Sequence, residues 1–258
     1  MKTLKVIKIG GEIINDKKAL GAFLSVFSEI KGPKILVHGG GKLATKIAEK
    51  MNVSIEMVDG RRKTDAATLK IITMVYAGEI NKNIIAQLQS NACNAIGFTG
   101  ADGNTITSVK RPVNEINYGF AGDVVSVNTA ILETLLHANV TPVFCAITHD
   151  GNGQLLNTNA DTIASELAIG FAKEYCTELY YCFEKKGVLL NVNDDESVIE
   201  NINKQNYQEL INQNIIADGM LPKLNNCFRA IQQNVDKVCL GKPEMLYNMN
   251  IKYTTIQK

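Results

Sequence analysis

The chain has 258 residues, of which 45% are hydrophobic and 21% charged, with a formal net charge of +1. That length suits one large domain or two closely packed lobes, and the near-neutral charge supplies no field for nucleic acid or a membrane surface. Six cysteines without a C-x-x-C pair, and three histidines at 38, 137 and 149, argue for reduced structural thiols and against a zinc site.

In chain order, Lys5 to Ile9 reads as a strand, Lys17 to Ile30 as a helix, Lys34 to Val37 as a second strand and Lys42 to Met51 as a second amphipathic helix. Both strands run into glycines, Lys8-Ile9-Gly10-Gly11 and His38-Gly39-Gly40-Gly41. Glycines between a strand and a helix let backbone N–H groups approach an anion, so two such turns suggest two anions. Lys8 stands where a strand covered on both faces should carry Val or Ile; a buried ammonium is costly unless something negative meets it.

Ala66 to Gln89 has helical periodicity, Ala92 to Phe98 reads as a strand, and Gly100 to Val125 as hairpins and loops that could wall a pocket. A helix is expected from Ser126 to Ala138, a strand from Pro142 to Ile147 and a turn at Asp150-Gly151-Asn152-Gly153. Beyond Asn157 the pattern gives a helix from Asp161 to Phe171, a strand from Glu178 to Phe183, helices near Lys204 to Gln213 and Met220 to Asn234, and a last strand from Asp236 to Leu240. Strand alternating with helix predicts an α/β fold on a mainly parallel sheet. Two lobes sharing one sheet are expected, residues 1–174 and 175–258, with no linker rich in Pro, Gly and Ser between them. The start at Met1-Lys2 shows no apolar leader, which reads as cytoplasmic.

Two later clusters join the glycine turns: Leu156-Asn157-Thr158-Asn159-Ala160-Asp161 and Asp218-Gly219-Met220-Leu221-Pro222-Lys223. Singly, each could be a helix cap, a turn or a solvated lysine. Asp161 at a helix start would both cap the helix and point a carboxylate toward the strand ends. Common alternatives fail on detail: before Gly41-Lys42 the glycine of a P-loop is Leu36 and the residue after is Leu43. No G-x-G-x-x-G, G-x-S-x-G or H-E-x-x-H occurs in a suitable context.

Taken in order, these clusters resemble the amino acid kinase family over nearly the whole chain. Asp59-Gly60-Arg61-Arg62-Lys63-Thr64 and Gly119-Phe120-Ala121-Gly122-Asp123-Val124-Val125-Ser126-Val127-Asn128 are similar to two further family segments. The resemblance implies ATP-dependent phosphorylation of the γ-carboxylate of an N-acyl-L-glutamate, acetyl or succinyl, in arginine biosynthesis. It also implies an open αβα sandwich with the acyl amino acid in the N-terminal lobe and the nucleotide in the C-terminal one, and Mg²⁺ entering with ATP. Lys8 and Lys223 would contact the transferring phosphoryl group and Asp161 would aim both. Gly10 and Gly11 would offer N–H groups to the phosphates, Gly39 and Gly40 to the acylglutamate. Arg62 would clamp the α-carboxylate, while Asn157 and Asn159 would bind the amide and carboxylate. Because a glutamate side chain (pKa about 4.3) is already ionised at neutral pH, no general base is needed.

Where the family often has a serine-aspartate run, this chain has Phe183-Glu184-Lys185-Lys186-Gly187-Val188, in which the two lysines are either phosphate ligands or solvated loop charges. The alternatives are a carbamate, aspartate, glutamate or uridylate kinase, or a non-catalytic arginine or nucleotide sensor; retention of Lys8, Asp161 and Lys223 argues against the sensor. A homodimer without arginine feedback is expected, since the first strand starts at once and leaves no N-terminal helix to build a hexamer.

Overall fold

The computed structural model describes residues 1–58, 61–216, 220–248 and 250–258. Asp59-Gly60, the start of one family-like segment, and the expected Asp218-Gly219 turn therefore lie outside the described residues. The first half runs β1 (Thr3–Ile9), α1 (Gly11–Asn15), α2 (Lys17–Glu29), β2 (Lys34–His38), α3 (Gly41–Lys50), the short β3 (Met57–Val58) and β4 (Arg61–Arg62), and α4 (Ala66–Thr73). A π-helical segment, Met74–Ile80, joins α4 to α5 (Asn81–Ser90), and β5 (Ala95–Phe98) comes after it. Next come β6 (Ile106–Lys110), β7 (Gly122–Val127), α6 (Ala130–His137), β8 (Thr141–Phe144), β9 (Ile147–His149), β10 (Leu155–Asn157) and α7 (Ala160–Phe171). The chain closes with β11 (Cys176–Cys182), β12 (Asn201–Ile202), α8 (Lys204–Asn212), α9 (Met220–Gln232), β13 (Lys237–Gly241) and β14 (Thr254–Ile256).

One eight-stranded sheet, ordered β12-β14-β13-β11-β1-β2-β8-β5, forms the frame, and only its β13–β14 pair is antiparallel. Every residue of β2 is buried, and both faces of β1 carry fully buried side chains, Leu4 and Val6 on one and Ile7 and Ile9 on the other. A strand buried on both faces needs cover above and below, which is why it reads as an apolar run rather than an alternation. Helix α7 crosses β1, β2 and β11 and packs on α9, while α2 packs on α5. A four-stranded sheet, β10-β9-β6-β7, stands beside this frame, and β6 and β7 form the expected antiparallel hairpin. Among the described residues no helix is long and apolar enough to cross a membrane.

Several boundaries differ from the sequence expectation, and β5, for one, starts at Ala95 rather than Ala92. Ser126 and Val127 belong to β7 rather than to the following helix, which starts at Ala130. The strand expected over Pro142 to Ile147 is two strands, β8 and β9, that enter different sheets. The strand over Lys237–Gly241 is not the last, because β14 turns back antiparallel to it and pairs with β12 on its other side.

Candidate active site

A cleft of about 530 Å³ opens at the C-terminal ends of β1, β2 and β8 and is lined by Lys8, the 39–41 turn, Arg62 and Asn157 through Thr162. In a parallel sheet these strand ends are where loops converge and ligands bind. The cap of α7 is Asn159 and not, as expected, Asp161: the Asn159 side chain accepts from the Asp161 N–H at 2.7 Å, which holds the first turn in place and leaves the Asp161 carboxylate free to face the cleft. Lys8 comes from β1 and Lys223 from α9. Their ammonium groups flank the one carboxylate, Lys8 Nζ 2.7 Å from Asp161 Oδ1 and Lys223 Nζ 2.5 Å from Oδ2. All three side chains are only 14–15% exposed.

Burial by itself would push the Asp161 carboxyl up, but the Lys8 and Lys223 charges override it and hold the group well below the usual carboxylate range. Burial pulls the Lys8 ammonium down from the ordinary lysine value; Asp161 opposes that shift and the Lys223 charge adds to it. The trio thus carries one net positive charge in a partly dehydrated pocket, so an incoming anion meets a field that water screens little. The Lys223 ammonium also lies over the Tyr181 ring, 5.1 Å from its centroid, and Tyr181 in turn donates to the Asp161 backbone carbonyl at 2.9 Å. No motif in the sequence marks Tyr181; its one signal there is an aromatic in the strand beside β1, in register with Lys8.

The two glycine turns differ. The Gly10 N–H donates to the Cys182 carbonyl at 2.8 Å, so it extends the β1–β11 pairing and is not free for a phosphate. This corrects the expectation for Gly10, whose contribution is the tight approach to Cys182 and Phe183, where a Cβ would sit 3.3 Å from the Cys182 oxygen. Gly11 opens α1, and the first N–H groups of a helix have no acceptor within it. Gly40 has φ +155°, and a Cβ there would lie 2.2 Å from Ile80 Cδ1, so only glycine suits the turn into α3. Gly39 lines the cleft beside it.

Arg62 faces the same cleft from β4. One of its terminal nitrogens, Nη2, donates to the Gly41 carbonyl at 3.0 Å and to Thr45 Oγ1 at 2.9 Å. The other, Nη1, is buried without an acceptor among the described residues. A buried guanidinium N–H left unpaired is costly, so this atom is suited to a ligand carboxylate. Asn157 spends its amide nitrogen on Thr64 Oγ1 at 2.9 Å and Asn159 spends its oxygen on the α7 cap, which leaves Asn157 an oxygen and Asn159 a nitrogen for a ligand. The segment around Gly119 forms the far wall: Thr64 N–H donates to the Tyr118 carbonyl at 3.0 Å, and Phe120 N–H donates to the Thr64 carbonyl at 2.7 Å. Arg111, also lining the cleft, is held by Asp123 and was not singled out in the sequence because a lone arginine in a polar loop carries no pattern. Lys185 and Lys186 pair with Asp195 and Glu196 on an exposed loop, which favours the solvated reading of both.

A mainly parallel αβα frame with a cationic cleft at its strand ends defines an α/β enzyme of the anion-binding kind. The chain belongs to the amino acid kinase family, whose profile matches residues 3–242. It is 53% identical over 250 residues to the acetylglutamate kinase of Cytophaga hutchinsonii, covering 96% of this chain and 95% of that protein. It is 52% identical over 237 residues to the acetylglutamate kinase of Bacteroides fragilis, covering 92% and 91%. Among solved structures, carbamate kinase from Giardia lamblia superposes with a TM-score of 0.71 over 100% of this chain and 98% of that one, at 14% identity, a likeness of fold alone.

Proposed function

We propose that this chain transfers the γ-phosphoryl group of ATP to the γ-carboxylate of N-acetyl-L-glutamate, giving an acyl phosphate in arginine biosynthesis. The observation that carries the reading is the convergence of Lys8 and Lys223 on Asp161 at the floor of the cleft. Two anionic reactants repel each other, and a loose phosphoryl transition state spreads charge over its equatorial oxygens; catalysis is then mostly positioning and positive potential. The two ammonium groups supply that potential. Asp161 keeps them aimed and spaced, since without it two like charges would share one pocket.

The acyl substrate is proposed to lie over residues 1–174, with its α-carboxylate on Arg62 Nη1 and its γ-carboxylate near Gly39 and Gly40. The nucleotide is proposed to lie over residues 175–258, its terminal phosphate reaching Lys8, Lys223 and the Gly11 N–H. The described residues hold no cluster of three acidic, histidine or cysteine side chains that could cage a cation. Mg²⁺ is accordingly proposed to enter with ATP, held by phosphate oxygens and water, as its reluctance to dehydrate favours. A homodimer completes the proposal, with β5, the edge strand bearing the exposed Ile96, available for contact.

Hydroxylamine trapping with ATP, Mg²⁺ and a panel of free, acetylated and succinylated glutamates tests the reading. An acyl hydroxamate is expected with N-acetyl-L-glutamate; none with any member of the panel would sink it. In the same assay Lys8→Ala should lower kcat by about 10²-fold or more, as for loss of one electrostatic stabiliser.

A further inference from the structure

Beneath the glycine turn into α3 runs a buried polar chain that neither substrate touches in the proposed reaction. His38 ends β2 with its ring fully buried, and Asn81 opens α5, 1% exposed. Asn81 Nδ2 donates to the Val143 carbonyl at 3.0 Å and lies 3.0 Å from His38 Nε2. A backbone carbonyl can only accept, so the amide atom facing Val143 is the nitrogen, and its second hydrogen is left for His38 Nε2. Nε2 must then be the unprotonated, accepting nitrogen of the ring. The proton falls on Nδ1, which stands 2.8 Å from the Gly39 carbonyl, another pure acceptor. Both ends of the ring demand the same tautomer. Burial also lowers the imidazole pKa to about 4, the Gly39 bond opposing, so the ring is neutral at physiological pH.

We infer that His38, locked in its Nδ1–H form by Asn81, is a positioning residue that aims the Gly40 N–H into the cleft, where the acceptor carboxylate and the phosphoryl group meet. The inference rests on the kinase reading above. The Gly39–Gly40 peptide is planar and trans, so its C=O and N–H point in opposite directions. With the Gly39 oxygen drawn inward by His38, the Gly40 N–H is turned the other way, and Gly40 lines the cleft with no acceptor for that N–H among the described residues. A run of three glycines has no side chain to set its own peptide planes, so the orientation has to come from outside the turn.

Two other features of the fold serve the same chain. The π-helical segment Met74–Ile80 ends one residue before Asn81, and a π turn shifts the azimuth of the residues beyond it. Gly97 on β5 leaves room for the amide: a Cβ there would lie 1.8 Å from Asn81 Oδ1.

The test compares His38→Asn, which keeps an amide N–H near the place of Nδ1, with His38→Leu, which fills similar space without a donor. Both are followed by steady-state kinetics and thermal melting. His38→Leu should lose about 10–100-fold in kcat with the KM for ATP within about threefold, the scale of a misaimed catalytic group. His38→Asn should recover most of that loss although its Tm falls as far. Retained turnover in His38→Leu, or turnover in both that merely tracks Tm, would overturn the inference. Should His38→Leu not fold, nitrogen-15 NMR of the ligand-free wild type, with the His38 signal assigned by its loss in His38→Asn, decides the matter. A proton on Nδ1 at pH 7 is expected, and a proton on Nε2 overturns the pin. Wild-type protein that phosphorylates none of the acylglutamates overturns the kinase reading instead, and the ring tautomer is read independently of it.

Discussion

Lys34 Nζ donates to the carbonyls of Phe27, Ser28 and Ile30 at 2.8, 3.0 and 2.7 Å, so this buried ammonium caps the C-terminal end of α2. Lys8 is a second lysine on a core strand, but a carboxylate stands 2.7 Å from it and a second ammonium shares that carboxylate. Burial alone therefore did not single out the functional lysine in the sequence; the partner type does. The Lys8 environment makes a pH prediction. Its proton is held less tightly than in an ordinary lysine (pKa about 10.4), so kcat should fall on the alkaline side at a lower pH than free lysine would dictate. Because the unfolded chain binds this proton more tightly than the folded one, the Lys8 contribution to stability rises with pH over the same window. Turnover and Tm should thus part company as the pH is raised. On the acid side, Asp161 holds its charge well below the usual range, and its contribution to stability, full above the ordinary carboxylate range, declines as the pH drops below that range and is gone once the pH has passed the depressed value. The acid limb then belongs to the substrate carboxyl, near pH 4.3. A kcat profile flat to pH 10.5, in a protein whose melts show it folded, would refute the assignment of Lys8.

Elements decide how these side chains meet. The glycine turn between β2 and α3 is closed from above by the π segment, whose Tyr76 and Ile80 pack against Gly40. Gly40→Ala must place a Cβ at positive φ and displace Ile80, so a loss of about 1–3 kcal/mol of stability is expected, together with a raised KM for the acyl substrate. Gly78→Ala, in the exposed part of the same segment with nothing within 4 Å of the new Cβ, should instead stabilise by about 0.5–1 kcal/mol. Thermal melts of both variants check the contrast, and equal shifts would count against it. Most of this element order was legible in the sequence, because the change from period 2 to period 3.6 with glycines at each junction marks strand, turn and helix. The π segment was not, since Met74 to Ile80 has ordinary helical composition and only tertiary packing shows the extra residue per turn. Nor were β3, β4, β12 and β14, two or three residues each, too short for periodicity. At the site, residue types foretold charge but not bond partners: the Gly10 N–H went to the ladder, the Asn159 oxygen to the α7 cap and the Asn157 nitrogen to Thr64.

At the scale of the whole molecule, the trio sits on a seam. Lys8 belongs to β1, Lys223 to α9 and Asp161 to α7, and α7 packs on β1, β11 and α9 alike. The sheet order sets β11 directly against β1 in parallel register from Thr3–Cys176 to Ile9–Cys182. If the two proposed lobes were independent units, few contacts would cross between them; instead a seven-residue ladder and a shared helix do. Separating them would leave the β1 edge unpaired, the Val6, Ile7 and Ile9 side chains partly uncovered and Lys8 and Asp161 without Lys223, each of them costly. One cooperative unfolding transition is therefore expected, coincident by far-ultraviolet circular dichroism, by the near-ultraviolet signal of the eight tyrosines and by calorimetry. ATP at about 100 times its Kd should move that entire transition, adding about 2.7 kcal/mol, because a ligand bound at the seam stabilises both sides of it. A fragment ending at residue 174 should show no cooperative melt of its own. Two separated transitions, a shift confined to one of them, or a fragment that melts cooperatively would each show that the halves fold apart and that the seam is only a contact between finished domains.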